Sequence, residues 1–189
     1  LHQLDNVRTP VNFTFTTAAT QTYTGGTGNW STAGSWTSRV PLPQDDVLMS
    51  GVTGGTITAD MPRLGKSIDW TGATGTPTFN INSTPNTIYG SLTLISGMTL
   101  TTGQTPIFEG KGSFTLTSAG KSFGAVTQSM FGGTLTLQDA FVGTGTFTLN
   151  NGTFVDNGYA MSVTIFSSSN SNTRAITRSG TLTITSTGT

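Results

Sequence analysis

The chain has 189 residues, of which 41 are Thr, 25 Gly and 19 Ser, with no Cys and only 8% charged residues. Thr and Gly are poor helix formers and the residues that fill helices are scarce, which excludes a helical protein, while a one-third hydrophobic content at zero net charge disfavours disorder. The lack of Cys excludes disulfides and thiolate sites, and eight basic against eight acidic residues leave no electrostatic footprint for nucleic acid or an anionic membrane.

From its N-terminus the chain is mostly polar, and residues 1–28 read as a connector with one alternating strand, Val11-Asn12-Phe13-Thr14-Phe15-Thr16. A start at Leu1 reads as a processed chain or a fragment. No apolar stretch approaches the roughly 18 residues that cross a bilayer, so no membrane insertion is expected. The segment Gly28-Asn29-Trp30-Ser31-Thr32-Ala33-Gly34-Ser35-Trp36 then carries two of the three Trp, and the run from Val40 to Met49 follows it. Residues 29–43 are expected to cap a domain whose coils occupy residues 44–189.

An internal repeat governs the rest. Gly-[Ser/Thr]-apolar-Thr-apolar occurs at Gly90–Leu94, Gly112–Leu116, Gly133–Leu137 and Gly180–Ile184. The first two steps are 22 and 21 residues and the last gap, 47, is two such steps. The missing member falls on Gly158–Ile165, either from Gly158 or, a few residues later, as Ser162-Val163-Thr164-Ile165. Weaker copies lie at Lys66-Ser67-Ile68-Asp69-Trp70 and Asp45-Asp46-Val47-Leu48-Met49. Two or three short strands per period of about 22 residues suit a right-handed parallel β-helix, a β-solenoid of about six coils. Alternation sends Leu92, Phe114, Leu135 and Leu182 inward in one rank and Thr93, Thr115, Thr136 and Thr183 outward as a ladder. An antiparallel β-sandwich is the structural rival, but it has no reason to repeat a motif at near-constant spacing.

The Trp30 and Trp36 segment, followed by Pro43-Gln44-Asp45-Asp46-Val47, resembles the opening motif of secreted and virion-borne β-helix proteins. Tyr89-Gly90-Ser91-Leu92-Thr93-Leu94, Thr136-Leu137-Gln138-Asp139-Ala140 and the loop from Phe166 to Arg174 are similar to the Thr- and Gly-rich fibre and appendage proteins of tailed bacteriophages. The resemblance spans residues 24–185. The group's usual Arg/Lys-Tyr-Trp-Val-Gly-Gly opening is replaced by Gln21-Thr22-Tyr23-Thr24-Gly25-Gly26, which ties the chain to no one subfamily. The resemblance implies a structural component at a virion surface or elsewhere outside the cell, supporting host attachment. Its partners would be other appendage proteins and a host-surface glycan, and a homo-oligomer such as a trimer is open. A bacterial adhesin or secreted solenoid passenger is the runner-up.

Few residues have the chemistry of a site. Trp36, Asn170, Asn172 and Arg174 are the candidate glycan contacts, because an aromatic face and side-chain amides suit sugars. For Trp30 and Trp36 a cap over the end of the core is the favoured reading, and for Asp45 and Asp46 a turn or capping role is favoured over calcium. Asp5, Asp45, Asp46, Asp60, Asp69, Glu109, Asp139 and Asp156 form no compelling pair for glycoside hydrolysis, and His2 stands alone in the leader. No catalysis, cofactor or metal is expected. Ranked Thr-x-Thr permits ice binding, but such ladders are also the ordinary cover of a parallel sheet, and Tyr159 and Met161 would interrupt a flat face.

Overall fold

The computed structural model describes residues 15–186 and is all-β apart from one short 3-10 turn, Ala33–Ser35. Its strands follow one another around three faces. The first coil carries β1 (Thr20–Thr22) and β2 (Gly28–Asn29). The next three carry β3 (Asp46–Leu48), β4 (Thr56–Thr58) and β5 (Arg63–Gly65); β6 (Ile68–Asp69), β7 (Thr78–Asn80) and β8 (Thr87–Ile88); and β9 (Leu92–Thr93), β10 (Thr99–Thr101) and β11 (Ile107–Phe108). Then come β12 (Ser113–Thr117), β13 (Ser122–Phe123), the long β14 (Val126–Leu137), β15 (Phe141–Gly143) and the long β16 (Thr146–Val155). The chain finishes with β17 (Met161–Val163), β18 (Ile165–Ser167), β19 (Arg174–Thr177) and β20 (Leu182–Ile184).

Among the described residues every pairing between the named strands is parallel and joins neighbouring coils, with one isolated antiparallel bridge, Tyr23 to Trp36, so the fold is a β-solenoid of about seven turns rather than a sandwich. At roughly 4.8 Å per coil the stack is about 35 Å long. One face runs β1-β3-β6-β9-β12 and onto the second half of β14; another runs β5-β8-β11 onto its first half. Thus β14, and after it β16, runs through a corner as one long strand, with its ladder to the neighbouring coil shifted in register there. The third face is built from β2-β4-β7-β10 and from β13-β15-β17-β20. The ladder already begins at Thr20, inside the expected connector, which adds a coil to the six that the motif spacing implies. The expected strand Val11–Thr16 lies outside the described residues except for Phe15 and Thr16, which belong to no strand.

Alternation decides what fills the interior. Val47, Ile68, Leu92, Leu116 and Leu137 stack in one inner rank, and Leu135 and Phe154 in a second. The two weak copies are therefore in register with Leu92 as the spacing requires. The step to β12 is different: Leu92 pairs with Leu116, not with Phe114, and Phe114 is only partly buried. Two extra residues before β12 slide the strand, and Phe114 folds over the bare Gly110 backbone. The Gly180 copy also departs from its expected rank, because Leu182 and Ile184 pair with Met161 and Val163 on the third face. Neither alignment near residue 158 is the strand as expected: β17 is Met161–Val163, with Met161 and Val163 buried and Tyr159 exposed in the preceding turn, while Ile165, inward in the later alignment, lies in β18 and is exposed.

These shifts break the outward Thr ladder. Thr115 still stacks on Thr136 and Ser113 on Thr134, but Thr93 aligns with Thr117, Thr136 with Val155, and Thr183 with Ser162, so the four pairs do not form one plane.

Candidate functional site

Three places hold the residues singled out in the sequence: the first coil's end, the inter-coil carboxylates, and the loop before β19. A fourth, the corner carried by β14, emerges only in three dimensions.

At the first coil, the chain after β2 doubles back, with Thr24 N–H donating to Ser35 O at 2.8 Å and Thr37 N–H to Thr22 O at 3.1 Å. This return folds Trp36 against Trp30 and Tyr23, with ring centroids 4.8 and 5.0 Å apart in edge-to-face contact. Trp36 Nε1 donates to Trp30 O at 2.8 Å. Trp30 is fully buried and Trp36 is 5% exposed, so both close the end of the core. Trp36 therefore presents no ring face to a sugar, which removes it from the glycan contacts. Its indole fills space that the next coil would otherwise fill.

The carboxylates act mainly as clamps between coils. Asp45 is fully buried; its oxygens accept from the N–H groups of Ala19 and Leu42 and from Arg39 Nη2 at 2.7 and 2.9 Å. Asp46 is half exposed beside Lys66 at 3.5 Å. Asp60 accepts from Ser31 N–H and Oγ, and Asp139 from Ser118 and Ala119 N–H, the latter residue at φ 50°. Asp69 accepts from Thr71 N–H within its own turn. Asp156 receives N–H bonds from Gly158, Ser179 and Gly180 and lies 3.3 Å from Arg178 Nε. Burial by itself would raise the Asp156 carboxyl, but the three backbone donors and Arg178 outweigh it and hold the group below its ordinary value. Among the described residues no three His, Asp or Glu side chains gather as a metal site. No helix among them is long and apolar enough to cross a membrane.

The loop from Phe166 to Arg174 is tied to itself. Arg174 Nε donates to Ser168 Oγ at 2.5 Å and Nη1 donates to Asn170 Oδ1 at 3.1 Å and Asn172 O at 2.8 Å, while Nη2 donates to Ser168 O. Asn170 donates its amide to Leu149 O one coil earlier and accepts from Asn172 N–H. The structure thus brings Asn170, Asn172 and Arg174 together, far from Trp36 in sequence and role, and spends most of their hydrogen-bonding capacity on shaping the loop.

Beside this loop runs a groove of about 310 Å³ between Phe131, Gly132, Gly152, Thr153, Thr173 and Arg174. A second groove of about 220 Å³ lies on the other side of Phe131, against Tyr89, Glu109, Lys111 and Ser129. Phe131 was not singled out by its sequence neighbourhood; its only signal is the Gly132-Gly133 pair that follows it and interrupts the strand pattern. No protein-family model, curated protein or solved structure matches this chain.

Proposed function

We propose that the protein is a structural segment of an extracellular appendage, of the bacteriophage fibre, spike or virion-surface kind, and that it supports a host-attachment surface without chemistry of its own. The observation that carries this reading is the continuous parallel ladder of about seven coils over an apolar core, closed at its first end by Trp30 and Trp36. Each added coil buries a further layer and pairs a further set of backbone groups, which makes a stiff rod by local means. The engagement of Asp45, Asp60, Asp69, Asp139 and Asp156 by backbone N–H groups supports a holding role for them in place of acid–base work. The neutral Ser/Thr exterior suits weak contacts repeated over many copies.

Immunogold labelling with antibodies to this chain tests the assignment. Label on the appendages of phage particles is the expected result. Label confined to bacterial cell surfaces would favour the adhesin reading, and release of reducing sugar from a polysaccharide by the purified chain would overturn the non-catalytic one.

A further inference from the structure

The two ends of the solenoid are finished differently. At the first, Trp30 and Trp36 cover the core, and the returning chain occupies the outer edge of β1, with Thr37 N–H donating to Thr22 O and Trp36 bridged to Tyr23. On the face that carries β5, the segment Pro41-Leu42-Pro43 stands outermost against Met61 and Pro62, and its two prolines offer no N–H to a further strand. The last coil has neither device. β18 and β19 pair only with β16, and β20 only with β17, so among the described residues their outer edges carry no ladder. The inward side chains of this coil, Phe166, Ile176, Leu182 and Ile184, pair with Phe147, Phe154, Met161 and Val163 below, and no described residue covers them from above. Ile176 and Ile184 are 44% and 45% exposed in consequence. An unblunted strand edge over an uncovered apolar layer is a template for another strand.

We infer that this open end accepts residues 11–16 of a second copy as an added strand, and that the chain assembles head to tail in this way. Val11, Phe13 and Phe15 alternate there with Asn12, Thr14 and Thr16, the pattern of a strand with one covered face. Phe15, the first described residue, is 84% exposed. The point of departure is fixed at the first end: Gln44 Nε2 donates to Thr16 O at 3.2 Å, Arg39 Nη2 to Thr17 O at 3.0 Å, and Ala19 N–H to Asp45 at 2.8 Å. A strand that finishes at this anchored Thr16 spans only about 20 Å, whereas the open end of its own molecule lies about 35 Å away along the axis. Its own first coil presents prolines. The acceptor is therefore another copy. By chain order the segment precedes β1 and belongs to the face of β5, β8 and β11, whose free edge at the last end is β18. There Phe166 stacks on Phe147, with centroids 5.6 Å and planes 13° apart, and Phe13 would add a third ring. Strand addition of this kind draws affinity from main-chain hydrogen bonds and specificity from the alternate side chains. Donor and acceptor sit at opposite ends of one molecule, so the contact is heterologous and repeats into a filament. The inference goes beyond the appendage reading, whose labelling test does not depend on it.

The test is sedimentation velocity of the full chain at rising concentration, with Phe13→Asp on the donor side and Ile176→Asp on the acceptor side. Circular dichroism verifies that each variant folds, and Ile184→Asp replaces Ile176→Asp if that one does not. The expected result is wild-type oligomers that lengthen with concentration and a monomer for either variant alone. An equimolar mixture of the two variants should give a dimer that grows no further, because one intact donor and one intact acceptor remain between them. A wild-type chain that stays monomeric at every concentration would overturn the inference. A dimer that Phe13→Asp leaves intact would overturn it in favour of two open ends meeting directly. Oligomers that neither variant weakens would overturn it by placing the contact elsewhere.

Discussion

Arg39 Nη2 bridges both oxygens of Asp45, at 2.7 and 2.9 Å, where the carboxylate is fully buried and the guanidinium is partly in solvent. The two residues are unequal partners. Removing the base strands a buried anion; neutralising the acid leaves a cation that water can reach. Arg39→Met is therefore expected to cost about 3 kcal/mol or more, and Asp45→Asn about 1–3 kcal/mol. Urea titrations of the two variants give the order directly, and a larger loss for Asp45→Asn would contradict it.

Asp156 makes stability depend on acid. Its folded carboxyl is held below the ordinary value of 3.8 by backbone N–H bonds and Arg178, against the opposing effect of burial. The stabilisation is complete above the ordinary value, where the unfolded group is also ionised, and is lost as pH falls through the depressed folded value. Wild-type protein should lose stability below about pH 4 more steeply than Asp156→Asn. Thermal midpoints from pH 6 down to about pH 2 measure this, and parallel profiles would remove Asp156 as the source.

Position within the stack should grade the cost of core truncation. Leu135 is fully buried between coils, so Leu135→Ala is expected to cost about 2–5 kcal/mol through transfer and cavity terms. Thr136 faces outward, and Thr136→Ala should cost about 0.5 kcal/mol or less. Ile176 pairs with Phe154 in the same inner rank but is 44% exposed, because the last described coil has no neighbour above it. Ile176→Ala should fall between, at about 1–2 kcal/mol. Denaturant midpoints that rank Thr136→Ala worst would refute the register.

Gly152 tests the corner itself. It sits at φ 84°, and a Cβ there would run into the carbonyl oxygens of Met130 and Gly133. Gly152→Ala is expected to cost more than about 1–2 kcal/mol, the left-handed penalty alone. Gly132, at φ 75° with open space around it, carries only that penalty. Equal thermal midpoints for the two alanine variants would show that the backbone approach is looser than described.

Much of this architecture is legible in the chain alone. Thr-rich composition excludes helix, alternation assigns Leu92, Leu116, Leu135 and Leu137 to the interior, and a period near 22 residues demands stacking. Even the degenerate copies around Ile68 and Val47 lie in register with Leu92. What alternation leaves open is a shift by two residues, since such a shift returns every side chain to the same face. Corner length sets it instead, and so Leu92 meets Leu116. The motif at Gly180 suits any face of the coil, because all three alternate in the same way; only the pairing with β17 assigns it. Trp36 takes the capping place and not the glycan one, and Phe131, to which the sequence assigns no role, stands exposed. Burial is decided by what the chain brings back over a residue, here the return past Ser35 that covers Trp36 and the four-residue bulge that expels Phe131.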